Sequence, residues 1–319
     1  MSYVAPPRPN RRNRRHALFV RVRVRPSIAA VLAVCVVSQI GCAWSRAGKT
    51  TVPNEIARCR ELTEQGTLAM RQGEVAAAET RFRSAVLANP ADIDARRLFA
   101  ETLWARGEKA AAIAQMEAAG RLAPHDAALI VRAGEMLLTS GEIPRAAARA
   151  DQAIAQNPQY GPAWALRGHA NWAAGRSQAA VADLQRALVY VPSDERVLLS
   201  LAKLYLEDGE PRRALTTLHQ LADVAPPGTE SQQMLLLEGR AYLALRRPAD
   251  AAESLAAAGR RGTPSAEIHY LLATAESQLG RTDAAIRAAH HALAANASHR
   301  ESLQLLAELG GSSAAPLRR

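Results

Sequence analysis

Five prolines, Pro90, Pro124, Pro158, Pro192 and Pro226, recur every 34 residues, and this spacing constrains the fold more than any other feature of the chain. Two further ladders keep the same period, Gly73, Gly107, Gly141, Gly175, Gly209 and Ala78, Ala112, Ala146, Ala180, Ala214. Three ladders in register describe one supersecondary unit copied along the chain, not a single globular core. Residues 162–192 illustrate the unit. Apolar and small residues recur at helical spacing up to Ala174, and Gly175 interrupts them. A second helical pattern runs from Ser177 through Val189 until Pro192 stops it. Glycine supplies the positive φ that ends a helix, and proline cannot continue one. Each unit is therefore predicted to be two helices. Small residues are needed where they touch: Gly168, Ala180 and Ala187 here, Gly66, Ala78 and Ala85 in the first unit.

This pattern resembles the tetratricopeptide repeat, whose units carry small residues at positions 8, 20 and 27 and proline at 32. On that frame seven units occupy 59–92, 93–126, 127–160, 161–194, 195–231, 232–265 and 266–298, with alanine at position 20 in all seven. The chain departs from the frame in three places. Pro226-Pro227-Gly228 falls in a three-residue insertion, read as a lengthened loop. Arg246 replaces a turn glycine, and Ala297 a proline. The resemblance implies an all-α, right-handed superhelical solenoid of about seven helix pairs. A C-terminal capping helix is expected at 299–311, because the last repeat would otherwise expose its apolar face. A linker at 42–58 and a disordered tail at 312–319 complete the expected organisation.

The formal charge of +10 suggests a nucleic-acid binder until its distribution is inspected. Residues 1–41 hold eight arginines and no acidic residue, so the rest carries 32 basic against 30 acidic side chains. A balanced solenoid has no general phosphate-attracting field, and no nucleic-acid partner is expected. The scarcity of lysine, three of 40 basic residues, fits a GC-rich bacterial coding bias.

The leader has its own logic. A basic stretch, Arg8 to Arg25, precedes the uncharged run SIAAVLAVCVVSQIG, Ser27 to Gly41, the layout of a secretory signal. Gly41-Cys42 resembles the bacterial lipoprotein box, in which the cysteine is lipidated and becomes the new N-terminus, although Gln39 departs from its usual leucine. The same residues also fit a small-x-small cleavage site, and Ser27 to Ser45 is long enough for a tilted membrane anchor. All three readings place the repeats outside the cytoplasm. The favoured one is a periplasm-facing, membrane-anchored protein with Cys42 as lipidation site. Ala43, where aspartate would mark inner-membrane retention, tilts this toward the outer membrane.

Other motifs carry little. AWSRAGKT, Ala43 to Thr50, satisfies a relaxed phosphate-loop pattern, but that loop must join a strand to a helix, and no strand pattern follows it. The histidines are scattered without metal spacing, and Cys59 is the lone cysteine of the repeats, read as semi-buried in the first helix. No catalytic constellation, metal or cofactor is expected, so the chain is read as a non-enzyme.

The resemblance instead directs attention to the concave groove, which in this family is lined by positions 2, 5, 9 and 12 of each first helix. Position 12 supplies Trp104, Leu138, Trp172 and Leu206; position 9 supplies Glu101, Glu135, His169, Lys203 and Arg240. The first set makes an apolar stripe, the second a charge order running from acidic to basic. The tryptophans are either partner anchors or packing between neighbouring first helices. The expected function is a protein-interaction scaffold of the bacterial envelope that holds a peptide in this groove, as in pilus, secretion or polysaccharide-export assemblies. A purely structural spacer is the alternative, and an envelope enzyme or nucleotide binder the remote one. Purified protein is expected to show no ATP hydrolysis that Lys49→Ala abolishes; Lys49-dependent turnover would restore the phosphate-loop reading.

Overall fold

The computed structural model describes residues 54–224, 228–263 and 265–313. The leader, Cys42, the phosphate-loop-like segment and residues 314–319 lie outside the described residues. Fifteen helices and no strand occur among the described residues: α1 (Asn54–Arg71), α2 (Val75–Ala88), α3 (Ile93–Ala105), α4 (Lys109–Leu122), α5 (Ala127–Thr139), α6 (Ile143–Gln156), α7 (Gly161–Ala173), α8 (Ser177–Tyr190), α9 (Glu195–Glu207), α10 (Pro211–Val224), α11 (Gln232–Ala244), α12 (Pro248–Gly259), α13 (Ala266–Gln278), α14 (Thr282–Ala295) and α15 (Arg300–Ser313).

They form seven antiparallel-type pairs followed by one further helix. From α2 onward each helix packs on the next, including α10 on α11 across the insertion. First helices of successive pairs also meet (α5 with α7, α9 with α11, α11 with α13), whereas second helices make no comparable approach to one another. The stack therefore curves toward its first helices, which form the inner layer.

The two helices of a pair meet where one of them has almost no side chain. A Cβ built on Gly239 of α11 would sit 2.4 Å from Leu255 Cγ on α12; on Gly168 it would sit 2.7 Å from Leu184 Cγ. Gly66 meets the ring of Phe82 in the same way, at 2.7 Å. In the last pair the contact is made small on both sides by Ala273 and Ala289, both fully buried. Around these seams Leu184, Leu198, Leu201, Leu204 and Leu218 are buried in one cluster spanning α7 to α11. Each such leucine contributes roughly 1.5–3 kcal/mol by leaving water.

Every first helix ends in the same turn. The N–H of Glu74, Glu108, Glu142, Arg176, Glu210, Arg247 and Arg281 donates to the carbonyl five residues earlier, closing a Schellman motif. The residue before each donor is left-handed, and glycine fills it at Gly73, Gly107, Gly141, Gly175, Gly209 and Gly280. In the sixth pair Arg246 takes that conformation, with φ 56°, and is the one non-glycine among the described residues to do so. The fold thus overrides the local preference of the side chain there. First helices begin less uniformly than they end: Asp92, Asp126, Asp194, Ser231 and Ser265 cap five of them through side-chain oxygens, whereas Tyr160 precedes α7 without a side-chain cap.

Two ends differ from the sequence frame. α1 starts at Asn54, inside the segment assigned to a linker, and α15 continues through Gly310 and Gly311 to Ser313. Cys59 is fully buried, and burial pushes its thiol above the ordinary value, so it is an inert core residue. Among the described residues no helix is long and apolar enough to cross a membrane. Replacing the strained left-handed arginine, Arg246→Gly, is expected to add about 1 kcal/mol of stability and raise the thermal midpoint by about 2–4 °C. A calorimetric scan checks this.

Candidate functional site: a pocket on the inner helix layer

A pocket of about 380 Å³ lies on the inner layer between α5, α7 and α9. Its walls follow from the repeat frame, because residues at one repeat position stack along the axis. Ala128, Pro162 and Arg196 line it from position 2, Val131 and Ala165 from position 5, and Glu135 and His169 from position 9. Leu138 closes it from position 12, Arg132 and Leu166 come from position 6, and Tyr160 and Asp194 from the turns preceding α7 and α9.

The polar side chains are arranged by two networks. Arg132 donates to both oxygens of Glu101 at 2.7 Å and to Glu135 Oε2 at 3.1 Å. The bonds to Glu101 hold the guanidinium pKa above its ordinary value against the opposing effect of burial. A bidentate pair of this kind fixes geometry as well as charge. Arg196 reaches Glu135 only at 3.9 Å, and its side chain is 79% exposed. In the second network His169 Nε2 lies 3.0 Å from Ser200 Oγ, which itself donates to the carbonyl of Arg196 at 2.8 Å. Burial holds the imidazole below its ordinary value; Arg196 adds to that, while Asp194 and Glu135 oppose it. Burial also pushes the Tyr160 phenol up, with Asp126 and Glu135 adding to the effect.

The structure brings Glu135, Leu138 and His169 of the sequence-derived groove set together in this pocket and leaves the others beside it. Glu101 is held by Arg132, just outside. Trp104 is half-buried against the α1–α6 cluster, with Lys109 Nζ 5.9 Å from its ring centroid. Trp172 and Leu206 are half-buried against the α7–α11 cluster. The Trp172 indole donates to Glu207 Oε2 at 2.9 Å, and Lys203 Nζ sits 4.9 Å over its ring. Arg240 faces Glu267 at 3.8 Å. Much of the charge order along position 9 is thus already answered within the protein. The sequence-derived set missed Ala128, Pro162 and Arg196, although their place at position 2 was a signal that could have found them; Tyr160 and Asp194, in the inter-repeat turns, had no such signal. Among the described residues no group of three or more His, Cys, Asp and Glu side chains could hold a metal.

Comparison with known proteins follows the same repeats. One tetratricopeptide repeat family model matches residues 63–127, 131–195 and 236–301, and a second matches 171–238. The chain belongs to the tetratricopeptide repeat family. Its structure is similar to that of a tetratricopeptide repeat protein from Parabacteroides merdae, with TM-score 0.58, 16% identity, and coverage of 80% of this chain and 99% of that one. PilW, a type IV pilus biogenesis factor, is similar with TM-score 0.58 and 21% identity over 67% of this chain and 98% of its own. YrrB, a repeat protein with an unusual peptide-binding site, is similar with TM-score 0.52 and 16% identity over 60% and 97%. No curated relative matches the chain.

His169 gives the pocket a pH signature. Above pH 6.5, its ordinary value, the ring is neutral whether the chain is folded or unfolded. As pH falls below that, the unfolded chain takes up the proton first, and stability is lost until the lower folded value is passed. The thermal midpoint of His169→Gln is therefore expected to fall less steeply than that of wild type between pH 7.5 and pH 5; parallel slopes would refute the buried neutral imidazole.

Proposed function

We propose that this protein is a non-enzymatic interaction scaffold that holds a segment of a partner protein along its first helices, with one side chain seated in the α5–α7–α9 pocket. The observation that carries this reading is the pocket itself. It combines an apolar floor (Val131, Leu138, Ala165, Leu166) with polar groups at its rim, the composition usual for a recognition site. Membership of the repeat family supports it, as do the descriptions of YrrB and PilW, one a peptide binder and the other a pilus biogenesis factor.

We place the scaffold at the bacterial cell envelope, exported and anchored through lipidated Cys42 or the apolar run before it, with the repeats facing the periplasm. The basic-then-apolar leader and its Gly41-Cys42 junction support that location. The partner belongs to an assembly such as a pilus, secretion or polysaccharide-export machine. Within the groove, Glu101 and Glu135 contribute less to partner choice than their charge suggests, because Arg132 already occupies them. The exposed guanidinium of Arg196 and the ammonium of Lys203 are the more available charges.

Ala128 is exposed at the mouth of the pocket, so Ala128→Trp fills the opening without disturbing the core. A quantitative pull-down from detergent-solubilised envelopes is expected to retain a partner on wild type and lose at least nine-tenths of it on Ala128→Trp. Equal retention by both would remove the pocket from the binding site.

A further inference from the structure

The hydrogen bonds around His169 go beyond that reading, and rest on it, by specifying the occupant's chemistry. Ser200 has one hydroxyl proton, and it is committed to the carbonyl of Arg196 at 2.8 Å. In the 3.0 Å contact between His169 Nε2 and Ser200 Oγ the ring nitrogen must therefore be the donor. A neutral imidazole with its proton on Nε2 leaves Nδ1 as a bare lone pair. No described residue donates to that nitrogen, and the open space beside His169 is the pocket. The Tyr160 ring supplies an aromatic wall there. The charges in the lining cancel: Arg132 and Arg196 against Glu135 and Asp194. A charged occupant would gain no net attraction and would lose its hydration, whereas an uncharged one fits the balance.

We infer that the pocket takes an uncharged aromatic side chain bearing a hydrogen-bond donor, an indole or a phenol of the partner segment, with His169 Nδ1 as its acceptor. Val131, Leu138, Ala165 and Leu166 contact the ring body. His169 is then the specificity-determining residue, and Ser200 a positioning residue that fixes its tautomer. A phenylalanine side chain would fill the same volume but leave the acceptor desolvated and unmade, which is the stronger source of discrimination.

The probes are N-acetyl-tyrosinamide, N-acetyl-tryptophanamide and N-acetyl-phenylalaninamide, titrated into the full-length chain while the amide resonances of residues 128–139 and 194–200 are followed by NMR. The tyrosine amide is expected to bind roughly threefold to tenfold more tightly than the phenylalanine amide, the yield of one hydrogen bond. His169→Leu should abolish or reverse that preference, Ser200→Ala should weaken it, and His169→Gln, which keeps an acceptor, should retain part of it. Thermal midpoints establish that each variant is folded. As pH falls past the folded imidazole's value, which lies below the ordinary 6.5, the wild-type preference should shrink as Nδ1 gains its proton, with Arg196 at the start of α9, Asp194 just before it and Glu135 from α5 as the charges acting on it. Binding of all three amides with no preference, or a preference unchanged in His169→Leu, overturns the acceptor role and leaves the pocket standing. No shift with any probe, or shifts that persist in Ala128→Trp, overturns the pocket as well.

Discussion

The close approach of the two helices within each pair is the constraint on which everything else depends. Gly239 against Leu255, Gly168 against Leu184 and Gly66 against Phe82 leave no room for a Cβ. In the last pair the first helix carries Ala273 instead, and its neighbour Ala289 is small too. Interiors are packed to crystal-like density, so this distance cannot relax by much without opening voids elsewhere. Fixing it sets the angle of each pair, and the angle of each pair sets how the next one stacks. Since a repeat contacts only its neighbours, the stability of the array is a sum of pair and junction terms, with no central core to compensate for a bad one.

Curvature follows from the same packing and produces the binding face. The backbones of first helices approach one another across successive pairs more closely than those of second helices, so residues at equivalent positions of α5, α7 and α9 converge. The pocket is that convergence made concave: α5 and α7 contribute Val131, Leu138, Ala165 and Leu166, α9 contributes Arg196 and Val197, and the turns before α7 and α9 contribute Tyr160 and Asp194. Its electrostatics are self-contained. Arg132 ties Glu101 and Glu135 together, and His169 is kept neutral by burial and by Arg196. A site whose lining charges balance presents mainly shape and hydrogen-bonding capacity to a ligand. That favours selectivity over a strong long-range pull.

Most of the fold was legible in the sequence, and the reason is periodicity. A ladder of glycines at one spacing reports where a helix must end, because the left-handed turn excludes most other residues. Arg246 shows the limit of that reading. The fold imposes the same turn on an arginine, since the helices on either side and the Schellman bonds of Arg247 outweigh about 1 kcal/mol of local strain. The ends were less legible because they have no neighbour to enforce the frame. α1 begins at Asn54, and α15 runs through Gly310 and Gly311, where a stop was expected.

What the sequence determined by itself was the repeat: its length, its two helices and its small seam residues. These are local quantities, set by helical period and by steric limits at glycine and proline. The resemblance to the repeat family added the expectation that Glu135, Leu138 and His169 lie on the inner face. Only the tertiary structure decided which charges remain available and which are spent. The bond from Arg132 to Glu101 joins residues 31 apart, as does the contact of His169 with Ser200. Such contacts depend on how far each pair rotates against the next, a quantity set by packing across the junctions and not by any one repeat. For that reason the charge order along the groove was readable beforehand, and its internal neutralisation was not.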